Sequence, residues 1–575
     1  MTKNNKSAKL TLAHINDTHS YFEPQSLQLQ IQIDGQSIAP YVSNGGFARI
    51  ATRAKQIKAK AISDRREFMF FHAGDCFQGT LYFSLFKGKA NADLLNALEI
   101  DAMALGNHEL DMGNQPVAEL LQRINFPLLA GNWNLSAERH DKNHCLQQQA
   151  NLLSYCEQKK TANWLVKRVQ GEPIAIFGVS MDKMADISNP DPDTCFEDTF
   201  QTVQNTIDAI QDDGINKIIL LSHLGFDVDK QLAQCVNGLA IIIGGHSHTL
   251  QGDFSDIGLN NEAEYGLCIN NTRIVHAGLH AQALGHCEID FDADGKVSRF
   301  AGRNELLLGR RLCIDASLAR ENTDLLHGKA SHFLRKSSKV VICKRDPVVH
   351  SILQDKYIPK VRELQQTVVG QVTTGLRHVR IPDAKGGSQI TPLVAQSFFH
   401  TMQKAGHQVE FALHNAGGVR TSINSGPISI ADIAGKLLPF AVPIGLYHIK
   451  GKFLALALEG SINNALNNGV VGTGSGSYPY TYNLDFDYYF DNPLGERIQN
   501  LKIYHAEFGW RSVEDNTRYC GTSSAYTMKG KEGYSALTQM EGVGIVTQYS
   551  MADCFIQLLK DQPDRLNNVD ELTLN

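Results

Sequence analysis

The chain has 575 residues, 42% of them hydrophobic and 20% charged, with a net charge of −6. That is an ordinary globular composition, long enough for two large domains each with its own core. The acidic balance excludes a phosphate-backbone binder, and no run of about 18 apolar residues offers a membrane span, so neither nucleic acid nor membrane is expected as a partner. The first nine residues are polar and basic with no apolar segment of signal-peptide length behind them. The eleven cysteines are scattered, with no CxxC. Both features point to a reducing, cytoplasmic setting for the sequence as written, or a periplasmic or extracellular one if a leader has been removed.

In chain order, the first half alternates short apolar runs with helical patterns. Strands are predicted at Leu10–Ile15, Phe68–Ala73, Ala102–Leu105, Ile174–Val179, Lys217–Leu221 and Leu239–Ile243. Helices are predicted at Phe47–Ile62, Ala90–Leu98 and Thr199–Asp212. Such alternation argues for a layered α/β domain. From Arg311 to Val349 the pattern is helical and charged, clearest at Leu318–Arg335, and reads as a connecting helix. A second unit then mixes helices (Ile352–Gln366, Lys452–Asn467) with strands (Glu410–His414, Leu446–Ile449, Ile498–Tyr504). The Gly-Ser stretch Gly472–Ser477 lacks the following Lys-Ser/Thr of a P-loop and reads as a surface loop.

Nearly every strand of the first half ends in a polar cluster, which is where open α/β sheets bind ligands. The clusters are Asp17-Thr18-His19, Gly74-Asp75, Gly106-Asn107-His108-Glu109, Ser222-His223 and Gly244-Gly245-His246-Ser247-His248. One Asp-x-His is a weak signal; five clusters of Asp, Asn and His at strand ends are not. Mixed oxygen and imidazole ligands suit Zn, Mn or Co better than Ca or Mg alone. His108 and Asp111 stand three residues apart, on one face if a helix begins there. His14 and His72 lie in or beside apolar strands and read as structural. His276 and His280 follow a strand, and neither is expected to ligate.

In this order, HINDTHSYFEP, HAGDCFQGT, ALGNHELDMG, LSHLG and GGHSHT resemble the calcineurin-like metallophosphoesterases, and more narrowly the 5′-nucleotidase family. The resemblance runs from about residue 9 to 550. It implies a four-layer α/β/β/α metallophosphatase domain (8–310), a linker helix (311–349) and an α+β C-terminal nucleotide-binding domain (350–555), the second domain closing on substrate. It implies two divalent metal ions, one held by Asp17, His19 and His248, the other by Asn107, His223 and His246, with Asp75 bridging. His248 departs from the Asn or Gln common there. The implied reaction is hydrolysis of nucleoside 5′-monophosphates by in-line attack of a metal-bridging hydroxide. The His108–Asp111 pair would stabilise the transition state and protonate the leaving alkoxide. Related members act as diesterases or pyrophosphatases on cyclic nucleotides, nucleotide sugars or dinucleotides. A protein that binds nucleotide without turnover would be a third outcome, disfavoured by the intact ligand set.

On the substrate side, Asn415-Ala-Gly-Gly418-Val-Arg420 resembles the family's nucleotide loop, and Leu438-Pro-Phe440 its base-stacking motif. Tyr526 and Glu532 fall where the family has a second stacking aromatic and an Asp. The family's R-x-x-E-x-N-x-G segment has no clear match in residues 376–396; either Arg377 or Arg380 is the candidate second phosphate arginine.

Overall fold

The structure, a computed structural model, describes residues 6–314, 320–440, 442–542 and 544–568. The chain divides into two compact units. The first comprises residues up to 78 together with 86–358; the second comprises 79–85 and the residues from 359 on.

The first unit is built on two stacked sheets. The larger has ten strands and runs Leu152–Leu153, Leu128–Leu129, Ala102–Ala104, Glu67–His72, Ala8–Ile15, Ala283–Phe291, Val297–Cys313, Tyr41–Asn44, Gln25–Gln28, with Val340–Ile342 also joined to Val297–Cys313. Ala8–Ile15 lies at its centre, parallel to Glu67–His72 and antiparallel to Ala283–Phe291. The smaller sheet runs Leu165–Val169, Glu172–Ser180, Ile218–His223, Ile241–Gly244, Thr272–Val275, Leu267–Ile269. In Glu172–Ser180 both faces are buried, so successive residues enter different cores. Ile174 and Ile176 join Leu10, Leu12, Phe71, Ile219, Leu221, Ile243 and Ile289 in the core between the sheets. Ala175, Phe177 and Val179 face the other way, onto Val203, Ile207 and Ile210 of the helix Thr199–Asp212. On the outer face of the larger sheet lies the helix Phe47–Ser63. It buries Phe47, Ile50, Ala51, Ala54, Ile57 and Ala61, an apolar stripe at helical spacing. Helix, sheet, sheet, helix is the α/β/β/α order.

The helix expected over Leu318–Arg335 runs Arg320–Lys336; residues 315–319 lie outside the described ones. It does not hang between the units as a linker would. Ala330 and Leu334 are buried with Leu29, Ile31, Leu306 and Leu308. The following strand Val340–Ile342 pairs in parallel with Val297–Cys313. The charged face hides two apolar anchors a turn apart, so the segment belongs to the first unit. The helix expected over Ile352–Gln366 is interrupted by a π turn, Leu353–Tyr357, before Ile358–Gln366. Pro359 has no N–H to return to the preceding turn, and a widened turn accommodates that missing donor.

The second unit carries a five-stranded sheet in the order Pro479–Tyr482, Phe411–Asn415, Arg518–Ser524, Pro443–Lys450, Ile545–Ser550. Phe411–Asn415 is parallel to Arg518–Ser524, and the other pairs are antiparallel. Phe411, Leu413, Tyr447 and Ile449 pack on Leu454, Leu458 and Ile462 of the helix Gly451–Leu466. Thr391–Lys404 and Met551–Asp561 pack on each other and are tied by Lys404 and His400 to Asp561 at 2.6 and 2.9 Å. A separate three-stranded sheet, Leu484–Tyr488, Ile498–His505 and Gly509–Ser512, completes an α+β unit.

Candidate metal centre and nucleotide pocket

The strand ends of both sheets in the first unit bring the five polar clusters together. Asp17 and His19 follow Ala8–Ile15, Asp75 follows Glu67–His72, and Asn107 follows Ala102–Ala104. His223 ends Ile218–His223, and His246 and His248 follow Ile241–Gly244. Ligand atoms of Asp17, His19 and His248 all lie within 4.8 Å of one another, and so do those of Asp75, His223 and His246. A third such group, His19, Asp75 and His108, overlaps both. His19 Nε2 and His248 Nε2 approach to 3.2 Å, with Asp17 Oδ1 3.4 Å from the latter. Asp75 Oδ2 is 3.1 Å from His223 Nε2. Asn107 Oδ1 lies 2.9 Å from His246 Nδ1 and 3.3 Å from His223 Nε2. Two buried carboxylates, an amide oxygen and four imidazoles converging at such distances form a donor set that fits divalent cations.

The backbone is bent to make this possible. Asp17, His19, Asp75, His246 and His248 all have positive φ, between 45° and 76°. That is costly for residues with a Cβ and concentrates at functional sites. Gly106 shows how tight the turn is: a Cβ there would collide with Asp75 Oδ1.

Electrostatics follow from burial and neighbours. Burial opposes ionisation of Asp75, but His223 and His108 outweigh it and hold the carboxyl well below its ordinary value. Burial lowers His19 and His246 to about 4, favouring the neutral ligand form. Burial also works against the charged His108 ring, yet Asp111 and Asp75 raise it to about 10. His108 Nδ1 is 2.7 Å from Asp111 Oδ2. With Nδ1 committed to that carboxylate, Nε2–H is the ring's other proton-bearing edge.

Several residues that hold this centre have no ligand role in the sequence reading, even where they stand inside its motifs. Glu109 is buried, and its carboxylate accepts four backbone N–H bonds, from Asp75, Cys76, Phe77 and Gly106, at 2.7–3.0 Å. It thereby ties the Asp75 loop to the Asn107 loop. Asn16 donates to Asp17 Oδ2 and to the Gly278 carbonyl, both at 2.6 Å. His276 is buried with Nε2 2.7 Å from Asp229 Oδ2, while Ser222 donates to the other Asp229 oxygen at 2.5 Å. His276 braces the strand ends from behind. His280 stacks on Tyr21 at 3.8 Å. His14 meets the Tyr265 hydroxyl, and His72 meets Thr18 within the first cluster.

In the second unit, Asn415 is buried at the end of its strand. Its Nδ2 donates to Glu532 Oε2 at 3.2 Å, and its Oδ1 accepts from Thr527 at 3.3 Å. Gly418 sits against the buried His414 ring, which a Cβ there would strike. The Arg420 guanidinium lies over the Phe440 ring, 5.5 Å from its centre, a cation–π distance. Burial and Arg380 lower the Arg420 pKa. Burial raises that of Glu532, against the pull of Asn415 and Arg380. Tyr526 lies half-buried in the short helix Ala525–Met528, capped by Ser524. The Gly472–Ser477 stretch, expected as a surface loop, packs instead against the Asn415–Arg420 loop: Asn415 Nδ2 reaches the Gly476 carbonyl, and Ser477 is buried.

The two candidate arginines differ in what they touch. Arg377 forms a fork with both oxygens of Asp383 at 2.9 Å and donates to the Gly386 carbonyl at 2.6 Å. It closes its own loop. Arg380 is exposed, makes no hydrogen bond or ion pair among the described residues, and lies in the field shared by Arg420, Glu532 and His378.

The architecture of the first unit is that of a calcineurin-like phosphoesterase, whose family model matches residues 10–250; the 5′-nucleotidase C-terminal domain matches residues 368–539. With both domains in that order, the chain belongs to the 5′-nucleotidase family, and it is a hydrolase of nucleotide phosphoesters that binds divalent metal. It is 29% identical to the NAD 5′-nucleotidase of Haemophilus influenzae, over 97% of this chain and 91% of that one. It is 27% identical to bovine 5′-nucleotidase, over 86% and 78%. The solved 5′-nucleotidase precursor from Thermus thermophilus superposes with a TM-score of 0.65 at 27% identity, covering 96% of this chain and 97% of that one. Among the described residues no helix is long and apolar enough to cross a membrane.

Proposed function

We propose that the protein hydrolyses nucleoside 5′-monophosphates to nucleoside and phosphate, using two divalent ions of the Mn, Zn or Co kind. The observation that supports this most is the position of Asp75. Its carboxylate stands in both the His223–His246 group and the His19–His108 group, as a bridging ligand between two ions requires. Asp17, His19 and His248 would hold one ion, and Asn107, His223 and His246 the other. Bound there, the ions would lower the pKa of an attacking water and neutralise the phosphoryl oxygens.

The chain's own groups do the rest. His108, held by Asp111, presents Nε2–H to the departing alkoxide and supplies its proton. Arg420 and Arg380 bind the phosphate as charge-assisted donors, while Arg377 holds the 377–386 loop shut through Asp383 and the Gly386 carbonyl. Phe440 and Tyr526 stack on the base, and Asn415 with Glu532 orients its polar neighbours.

A second reading is hydrolysis of a dinucleotide or nucleotide sugar. It is favoured by the match to an NAD 5′-nucleotidase along 97% of the chain, and by Lys529 and Lys531 beside Glu532, which add positive charge for a second phosphate. The test is release of phosphate and nucleoside by metal-stripped protein reconstituted with Mn, Zn or Co. The substrates are AMP, GMP, UMP, 2′,3′-cyclic AMP, UDP-glucose and NAD, with His108→Ala as control. Rapid metal-dependent turnover of a monophosphate is expected. Cleavage of NAD or UDP-glucose with no monophosphate turnover would replace the first reading by the second. Full metal occupancy with no turnover of anything would sink both.

A further inference from the structure

We propose that Ser188 is a positioning residue for the His108–Asp111 pair, and through it for protonation of the leaving group. The inference rests on the reading of His108 as the proton donor. Ser188 is 77 residues from Asp111 in sequence and belongs to none of the strand-end clusters. It is buried, in extended backbone just after the short helix Met184–Ile187. Its Oγ is 2.6 Å from the Asn107 carbonyl and 3.1 Å from Asp111 Oδ1. The other Asp111 oxygen, Oδ2, receives His108. Among the described residues Oδ1 has no other hydrogen-bond partner.

The hydroxyl has one hydrogen and two acceptors, so it is shared between the backbone of Asn107 and the carboxylate of Asp111. That sharing fixes the distance between the turn and the carboxylate that orients the imidazole. A carboxylate held at one oxygen only is free to swing about its Cα–Cβ bond, and the imidazole with it.

The segment around Ser188 is itself strapped to the same turn. Asn189 N–H donates to the Leu110 carbonyl at 3.2 Å. Asp191 N–H donates to Asn114 Oδ1 at 3.1 Å, and Asn114 Nδ2 reaches Thr194 at 2.9 Å. Lys142 anchors Asp191 at 2.8 Å and pairs with Asp193. Ser188 is therefore delivered by a braced element, which is what positioning a catalytic pair demands.

The test compares two esters. AMP expels an alkoxide that needs a proton; p-nitrophenyl phosphate expels a phenolate that does not. Ser188→Ala is expected to lower kcat for AMP about tenfold, the scale of losing a supporting partner, and for the aryl ester less than twofold. KM and bound metal, the latter by elemental analysis, should not change, and Ser188→Thr, which keeps the hydroxyl, should restore most of the AMP rate. Equal loss on both esters, loss of bound metal, or wild-type turnover of AMP would each overturn the proposal. His108→Ala separates the two layers. If it discriminates between the esters while Ser188→Ala does not, only the inference about Ser188 fails. If His108→Ala does not discriminate either, the reading of His108 as proton donor fails and takes the inference with it.

Discussion

The candidate metal centre and the candidate nucleotide-binding residues are held in opposite ways. In the first unit most of the proposed ligands are locked by backbone: positive φ at five positions, glycines without room for a Cβ, and a carboxylate that gathers four amides. In the second unit most candidate contacts are side chains on loops, half-buried or exposed, with Arg380 bonded to nothing among the described residues. The contrast follows from the tasks. Cation ligands must meet within a few tenths of an ångström, so the scaffold carries the cost of strain. A nucleotide is larger and its recognition is spread over stacking and charge, so residues there can be exchanged without dismantling the site.

If the contrast holds, its strongest expression is at Glu109. Glu109→Gln keeps the shape but turns one acceptor oxygen into a donor facing N–H groups. Metal affinity is expected to fall roughly 10–100-fold, read by chelator competition; unchanged affinity would mean that the two loops hold their spacing without this carboxylate. The arginines come next. Arg380→Ala should raise KM for AMP about tenfold or more, as loss of a charge-assisted phosphate contact does, with kcat changed less. Arg377→Ala should disturb thermal stability more than KM. The reverse result would assign the phosphate contact to Arg377.

The smallest effect on turnover is expected at Glu305, a buried carboxylate far along the sequence from the ligands. It takes Arg53 in a fork at 2.6 and 2.9 Å and Arg303 at 3.0 Å. Burial alone would raise its pKa, but His286 and Arg53 lower it to about 2. A depressed carboxylate contributes stability above its ordinary pKa of 4.5 and loses it as pH falls toward 2. Glu305→Gln should therefore cost about 3 kcal/mol at neutral pH, with the gap to wild type closing between pH 4.5 and 2 in denaturant titrations. A gap independent of pH would show that packing, not charge, is what Glu305 supplies.

The same contrast explains what can be read in the sequence. Strand ends bearing Asp, Asn and His are short and local, so the strands and helices of the α/β half are legible nearly to the residue, as with Thr199–Asp212. The groups that support them are not. Glu109 stands in a visible cluster, but its bonds go to backbone, which no motif records; Ser188 reaches across 77 residues and leaves no spacing to find. The strand Val297–Cys313 carries little sequence signal because only Asn304–Leu308 of it is continuously buried, so its ends show no apolar alternation. The helix Arg320–Lys336 reads as a linker because its few apolar residues, the buried Ala330 and Leu334 among them, do not outweigh its charged and polar ones. In the second unit, Arg377 and Arg380 look alike in the sequence, and only the folded loop lets Asp383 claim one of them.

The place of Ala8–Ile15 in the larger sheet also sets a clock. Its antiparallel neighbour Ala283–Phe291 is translated about 270 residues after it, and at about 5–20 residues per second the delay is of the order of 15–50 seconds. Through that interval the strand that leads into Asp17 has one open edge, a template for mispairing, and His246 and His248 do not yet exist for most of it. An expressed fragment of the first unit that stops before Ala283 would leave that edge without its native partner.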